Sequence, residues 1–128
     1  MRKEILVIDD SKAIRFLLHT ILKKHYKVTS VPDGLSAMYY LRKGNNPHLI
    51  ILDPDLPDLP DWELVKQLSA SGIYGATPLI VISNQDDDLT KANCLKYNVF
   101  EYYLKPFNPV NLLEAIDNIL IGNTLRKA

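Results

Sequence analysis

Five side chains with ligating or nucleophilic chemistry stand at the ends of apolar runs. Asp9 and Asp10 follow Ile5-Leu6-Val7-Ile8, Asp53 follows Leu49-Ile50-Ile51-Leu52, Ser83 follows Leu79-Ile80-Val81-Ile82, and Lys105 closes residues 100–104. Runs this short do not span a membrane; they suit strands buried on both faces of a parallel sheet. In such a sheet all strands end on one edge, and that edge is where ligands bind. Three carboxylates gathered there repel one another, and a divalent cation relieves the repulsion. An oxygen-only donor set suits Mg²⁺, which keeps several waters and leaves room for a phosphate oxygen. Lys105 adds a positive charge and Ser83 a hydroxyl donor. The chemistry that fits is phosphoryl transfer to Asp53, with the carboxylate as nucleophile and the cation and Lys105 offsetting the charge on the transferring group.

The elements that must place these groups follow from the hydrophobic pattern. Ser11 caps a first helix whose apolar positions are Ala13, Ile14, Leu17, Leu18, Ile21 and Leu22. Residues 26–31 read as a short strand with Val28 and Val31 inward, and Pro32-Asp33-Gly34 turns the chain into a helix capped by Asp33, through Leu35, Met38, Tyr39 and Leu41, that Gly44 ends. The central strand covers 48–53, and Pro54 stops it for want of an N–H. Residues 54–60 hold three prolines and form an irregular loop, after which Asp61 is expected to cap a helix carrying Trp62, Leu64, Val65 and Leu68. A loop with two glycines, 71–77, leads to the fourth strand. Asp86-Asp87-Asp88 suits the positive end of a helix dipole, and the helix it opens, to about Tyr97, is the most polar of the five. Asn108 caps and Pro109 opens the last helix, with an apolar face of Val110, Leu113, Ile116 and Leu120, and Gly122 stops it. The pattern is βα five times: an α/β, flavodoxin-like doubly wound fold with a five-stranded parallel sheet, helices on both faces and right-handed crossovers.

The 128 residues fit one domain over 1–122, with 123–128 as a short polar tail and no output domain expected after it. Fifteen basic and fifteen acidic residues cancel, which speaks against direct nucleic-acid binding. The single cysteine, Cys94, permits no internal disulfide and suits a reducing compartment. The apolar run before Asp9 is only four residues long, 5–8, so the N-terminus reads as neither signal peptide nor membrane anchor, and a cytoplasmic location is expected.

Taken together, Asp9-Asp10, the run ending at Asp53, Pro57 four residues on, Val81-Ile82-Ser83 and Lys105-Pro106-Phe107 closely resemble the receiver domain of two-component response regulators, in order and spacing along the whole chain. In plan the chain is similar to the single-domain chemotaxis type. The resemblance implies that Asp53 is the phosphoacceptor, served by a sensor histidine kinase or a histidine phosphotransfer protein. It implies that Asp10, Asp53 and the backbone carbonyl of Asp55 ligate Mg²⁺, with Asp9 acting through water. Ser83 and Lys105 would meet the phosphoryl oxygen, with a cis bond before Pro106. Tyr102 matches an aromatic switch that turns inward with the serine. The output surface would be the fourth helix, fifth strand and fifth helix, facing a downstream protein and leaving a homodimer open. Turnover as an enzyme is not expected beyond self-catalysed phosphorylation and dephosphorylation.

The chain departs from the family pattern at four places. Pro54 replaces an aliphatic residue, Pro60-Asp61 replaces Asp-Gly, Asn84 replaces a small residue beside Ser83, and Asn98-Val99 replaces Gly-Ala. None removes a chemical group, but Pro54 and Asn84 bear on the rate and lifetime of phosphorylation. They also keep open a degenerate receiver that only binds partners. A second alternative is a phosphatase of the haloacid-dehalogenase type, with Asp53 as nucleophile and Asp55 in its Asp-x-Asp motif. Against it stand the reversed order of nucleophile and acidic pair and the short chain. A nucleotide or flavin module is disfavoured by acids where a glycine-rich phosphate cradle belongs.

Overall fold

A computed structural model describes residues 2–122. The expected polar tail, 123–128, lies outside the described residues. Five strands and five helices alternate: β1 (Lys3–Ile8), α1 (Lys12–Leu22), β2 (Tyr26–Val31), α2 (Gly34–Arg42), β3 (Leu49–Leu52), α3 (Glu63–Ala70), β4 (Leu79–Ser83), α4 (Asp88–Lys96), β5 (Glu101–Leu104) and α5 (Pro109–Leu120). All strand pairs are parallel, in the order β2-β1-β3-β4-β5. The first crossover runs to one side of β1 and the later ones to the other, which creates the crevice at the carboxyl edge between β1 and β3.

Side chains on a strand alternate between faces, and here both faces are covered. Leu6, Ile8, Ile50, Leu52 and Val81 pack against Ala37 and Leu41 of α2 and Leu64, Val65 and Leu68 of α3. Ile5, Val7, Leu49, Ile51, Ile80 and Ile82 pack against Leu18 and Leu22 of α1 and Leu112, Ile116 and Leu120 of α5. Each such side chain contributes roughly 1.5–3 kcal/mol by leaving water, and the three inner strands, buried on both faces, form the centre of the core.

Two expectations about helix faces and one about a cap are corrected. In α2 the buried positions are Gly34, Ala37 and Leu41, while Leu35 and Tyr39 face solvent. In α5 Leu112 replaces Val110, which is exposed. Asp61 does not cap α3: Asp61 and Trp62 both lie in the left-handed region, at φ 58° and 66°, and Trp62 holds the cap position without a side-chain bond. The turn is imposed by loop closure, since the Trp62 N–H reaches back to the Pro54 carbonyl at 3.0 Å. Elsewhere the expected caps Ser11, Asp33 and Asn108 each accept an amide in the first turn of their helix, and within the acidic run it is Asp87 that caps α4. Asn98 takes the left-handed position (φ 57°) where the family has glycine, a conformation asparagine tolerates better than most residues.

Candidate functional site

The parallel ladder continues just past the strand ends. The Asp9 amide donates to the Val31 carbonyl at 3.1 Å, the Asp53 amide to Ile8 at 2.9 Å, and the Lys105 amide to Ser83 at 2.8 Å. These bonds hold the ends of β2, β1 and β3 level with one another, and the end of β5 level with that of β4; the carboxylates of Asp9, Asp10 and Asp53 gather with one oxygen of each within 4.8 Å of the others. Asp9 and Asp53 are buried; Asp10 faces solvent.

Lys105 lies between the two buried carboxylates, with Nζ 2.9 Å from Asp9 Oδ2 and 2.8 Å from Asp53 Oδ2. Burial alone would push the ammonium towards neutrality, but the bonds to Asp53 and Asp9 outweigh it and raise its pKa. Burial dominates at Asp9, whose carboxyl stays above its ordinary range although Lys105 and the Ser11 amide pull it down. A single ammonium thus shares two buried carboxylates, with a third beside them. That is a shortage of positive charge, and a hard divalent cation fits it.

The remaining bonds fix the orientation of Asp53. Its Oδ1 accepts the Asp55 N–H at 2.8 Å while Oδ2 accepts Lys105. The Lys105–Pro106 bond is cis. Asp10, Asp53, Asp55, Ser83, Asn84 and Gln85 line one cleft of about 240 Å³. Asn84 stands on its wall without filling it, and Pro54 leaves the Asp55 amide in place. Ser83 is buried, and its hydroxyl accepts the Gln85 N–H at 3.0 Å, so its own proton remains to be donated.

Tyr102 is not in the cleft. Its hydroxyl donates to the Gln85 carbonyl at 2.6 Å and lies 3.1 Å from Asp86 Oδ1, which ties β5 to the loop after Ser83. Partial burial and then the Asp86 carboxylate push its pKa up to about 12.

Sequence reasoning missed three residues with tertiary bonds near or beyond the site. Arg15 donates to the Asp9 carbonyl at 2.8 Å, Gln85 joins Ser83 to Tyr102, and Asp58, farther along the loop, binds the start of α2. None carries a local signal, because each acts on backbone groups that only the folded chain brings near.

Comparisons with known proteins agree with this geometry. The family model for the response regulator receiver domain matches residues 5–117. A chemotaxis protein CheY homologue of Campylobacter jejuni is 29% identical over 119 residues, spanning 91% of this chain and 92% of its own. Among solved structures, chemotaxis protein CheY4 of Vibrio cholerae superposes with a TM-score of 0.84 at 26% identity, covering 93% of this chain and 99% of that one. The BeF3-activated receiver domain of DrrB, an OmpR/PhoB homologue from Thermotoga maritima, gives 0.83 at 26% identity, covering 94% of this chain and 99% of that one. No helix among the described residues is long and apolar enough to cross a membrane.

Proposed function

Because the chain belongs to the response regulator receiver family, the phosphoacceptor modules of two-component signalling, we propose that Asp53 is its acceptor and that Asp9, Asp10, Asp53 and the Asp55 carbonyl hold Mg²⁺. The observation that carries this is the buried Asp53 held from both sides, by Lys105 on one oxygen and the Asp55 amide on the other. A carboxylate so fixed presents its lone pairs to the cleft in one direction, and orientation alone removes much of the barrier to attack. A phosphohistidine donor brings phosphorus into line. The Asp53 oxygen forms the new P–O bond as the P–N bond breaks, and the donor nitrogen leaves with the electron pair. Mg²⁺, when bound, offsets the negative charge of the phosphoryl oxygens and of the carboxylates.

Lys105 turns its ammonium from the carboxylate to the phosphoryl oxygen, and Ser83 donates its hydroxyl proton to another. Any movement of Ser83 towards that oxygen pulls on the Gln85 amide bonded to its hydroxyl, and Tyr102 is bonded to that same residue. The loop after β4 therefore links the site to β5 and α4. On α4 Leu89 and Leu95 face solvent, and only Thr90 is fully buried. That face, with β5 and α5, is proposed as the output surface for a downstream protein or a second copy. The phosphodonor is a histidine kinase or phosphotransfer protein, and the shared compartment is the cytoplasm.

The test is intact-mass spectrometry after incubation with acetyl phosphate and MgCl2. One added phosphoryl group is expected, absent without Mg²⁺ and absent in Asp53→Asn. No adduct and no phosphate release from the wild-type chain would remove the acceptor role.

A further inference from the structure

The loop between Asp53 and α3 is short of backbone donors, because Pro54, Pro57 and Pro60 contribute none. Its inner end is fixed by the Asp55 amide on Asp53, by the Trp62 amide on the Pro54 carbonyl, and by the Asp61 amide 3.3 Å from Asp55 Oδ1. Its outer end is fixed by one side chain. Asp58 Oδ1 accepts the Gly34 N–H at 2.9 Å and Oδ2 accepts the Leu35 N–H at 2.8 Å.

These are the first two amides of α2, donors that no helical carbonyl can serve. The helix's own cap, Asp33, takes a later one, Ser36, at 2.7 Å. Two carboxylates therefore divide the start of α2, one local and one from the loop beyond the acceptor. The neighbour of Asp58 completes the joint: a Cβ on Gly34 would lie 2.2 Å from Leu59 Cδ1, so the loop packs on the helix backbone where glycine leaves room. A helix already capped by Asp33 gains modestly from a second carboxylate. The loop gains more, since among the described residues the two bonds of Asp58 are the side-chain hydrogen bonds that tie its outer half to another element.

From this we infer that Asp58 is a positioning residue for the cation site: by clamping the outer half of the loop to α2 it keeps the loop from pulling on the inner bonds that hold the peptide offering the Asp55 carbonyl. This rests on the cation reading above. Groups that hold a metal ligand in place typically change metal affinity about 10–100-fold when removed.

The test pairs Asp58→Ala with Asp33→Ala, which removes a cap from the same helix but leaves the loop clamped. MgCl2 titrations are followed by the fluorescence of Trp62, the single tryptophan, which lines a cavity with Asp55 and Asp61. A second readout is the Mg²⁺ concentration for half-maximal adduct formation from acetyl phosphate. Asp58→Ala is expected to raise both values about tenfold while the rate at saturating Mg²⁺ stays near wild type, and Asp33→Ala to leave both within twofold. Asp58→Asn, which keeps the side-chain volume but turns one acceptor into a donor facing an amide, is expected to move them the same way and serves if the alanine variant does not fold. Equal Mg²⁺ affinity in Asp58→Ala and wild type overturns the inference, as does an equal loss in Asp33→Ala. A wild-type chain that gives neither Mg²⁺ response nor adduct overturns the cation reading itself, which separates the two failures.

Discussion

Replacing Lys105 with methionine isolates the charge arrangement at the strand ends. The chain length is kept and the ammonium is lost. Lys105, Asp9 and Asp53 have side chains only 10%, 3% and 9% exposed, and both ion pairs are shorter than 3 Å at 2.9 and 2.8 Å. Removing one partner of a buried pair leaves an uncompensated charge and costs about 3–5 kcal/mol. Here the loss lies at the lower end, about 3 kcal/mol, because the lysine's own desolvation is recovered. With a urea slope of about 2 kcal/mol per molar, the unfolding midpoint falls by about 1.5 M in chelator. Mg²⁺ changes the comparison. At a hundred times its Kd it stabilises either protein by about 2.7 kcal/mol. In Lys105→Met, however, no ammonium competes for the Asp9 and Asp53 oxygens, so Kd is lower and a fixed Mg²⁺ concentration restores more of the midpoint than it adds to wild type. The assay is urea unfolding followed by Trp62 fluorescence, with EDTA and with MgCl2. A midpoint within roughly 0.5 M of wild type in EDTA would refute the charge argument; equal Mg²⁺ gains in both proteins would refute the competition.

Other outcomes follow from the same geometry. Asp10→Asn removes the exposed carboxylate of the cluster, and the chain without cation should gain on the order of 1 kcal/mol in urea unfolding while losing its response to Mg²⁺. Gly34→Ala drives a methyl into Leu59 and should cost about 1–2 kcal/mol, measured the same way; an unchanged midpoint would show that the Leu59 side chain yields freely. For Tyr102, a folded pKa of about 12 above the ordinary 10.0 means that its contribution to stability is complete below pH 10 and is lost as pH rises through 12. In an ultraviolet titration Tyr102→Phe should delete one late ionisation near pH 12, and deletion of one near 10 instead would contradict the tether to Gln85 and Asp86. Burial raises the Cys94 thiol, so it should react with a disulfide reagent at pH 8 more slowly than free cysteine, and equal rates would place it in solvent.

How much of this could be read from residues alone depends on which force sets each feature. The inner strands were legible because burial on both faces demands unbroken runs such as Leu49 to Leu52, and nothing competes with that demand. The strand-end chemistry was legible for the same reason: once the runs are strands of one parallel sheet, Asp9, Asp53, Ser83 and Lys105 must share an edge. Helix faces were less so. Leu35, Tyr39 and Val110 are apolar and at plausible spacing, yet a helix on a twisted sheet needs only a narrow buried stripe, and α2 fills its stripe with Gly34 and Ala37, residues too small to stand out in a hydrophobic pattern.

The loop after Asp53 shows where local rules give way to tertiary ones. Read locally, Asp61 before an apolar helical stretch is a cap, and Asp58 is one more solvated acid. In the folded chain the loop must close over the exit of the acceptor strand within nine residues, 54–62, three of which are prolines with fixed φ and no amide. The turn is therefore forced onto Asp61 and Trp62, which accept left-handed backbone at a cost of roughly 1–2 kcal/mol per residue. Such a cost persists only where the surroundings over-determine the conformation. The Pro54 carbonyl on the Trp62 amide, the burial of Trp62 and the Asp58 clamp on α2 are those surroundings. A loop strained and clamped in this way has few conformations left to it, so if Asp53 and the Asp55 carbonyl act as proposed, little ordering remains to be done when cation and phosphodonor bind.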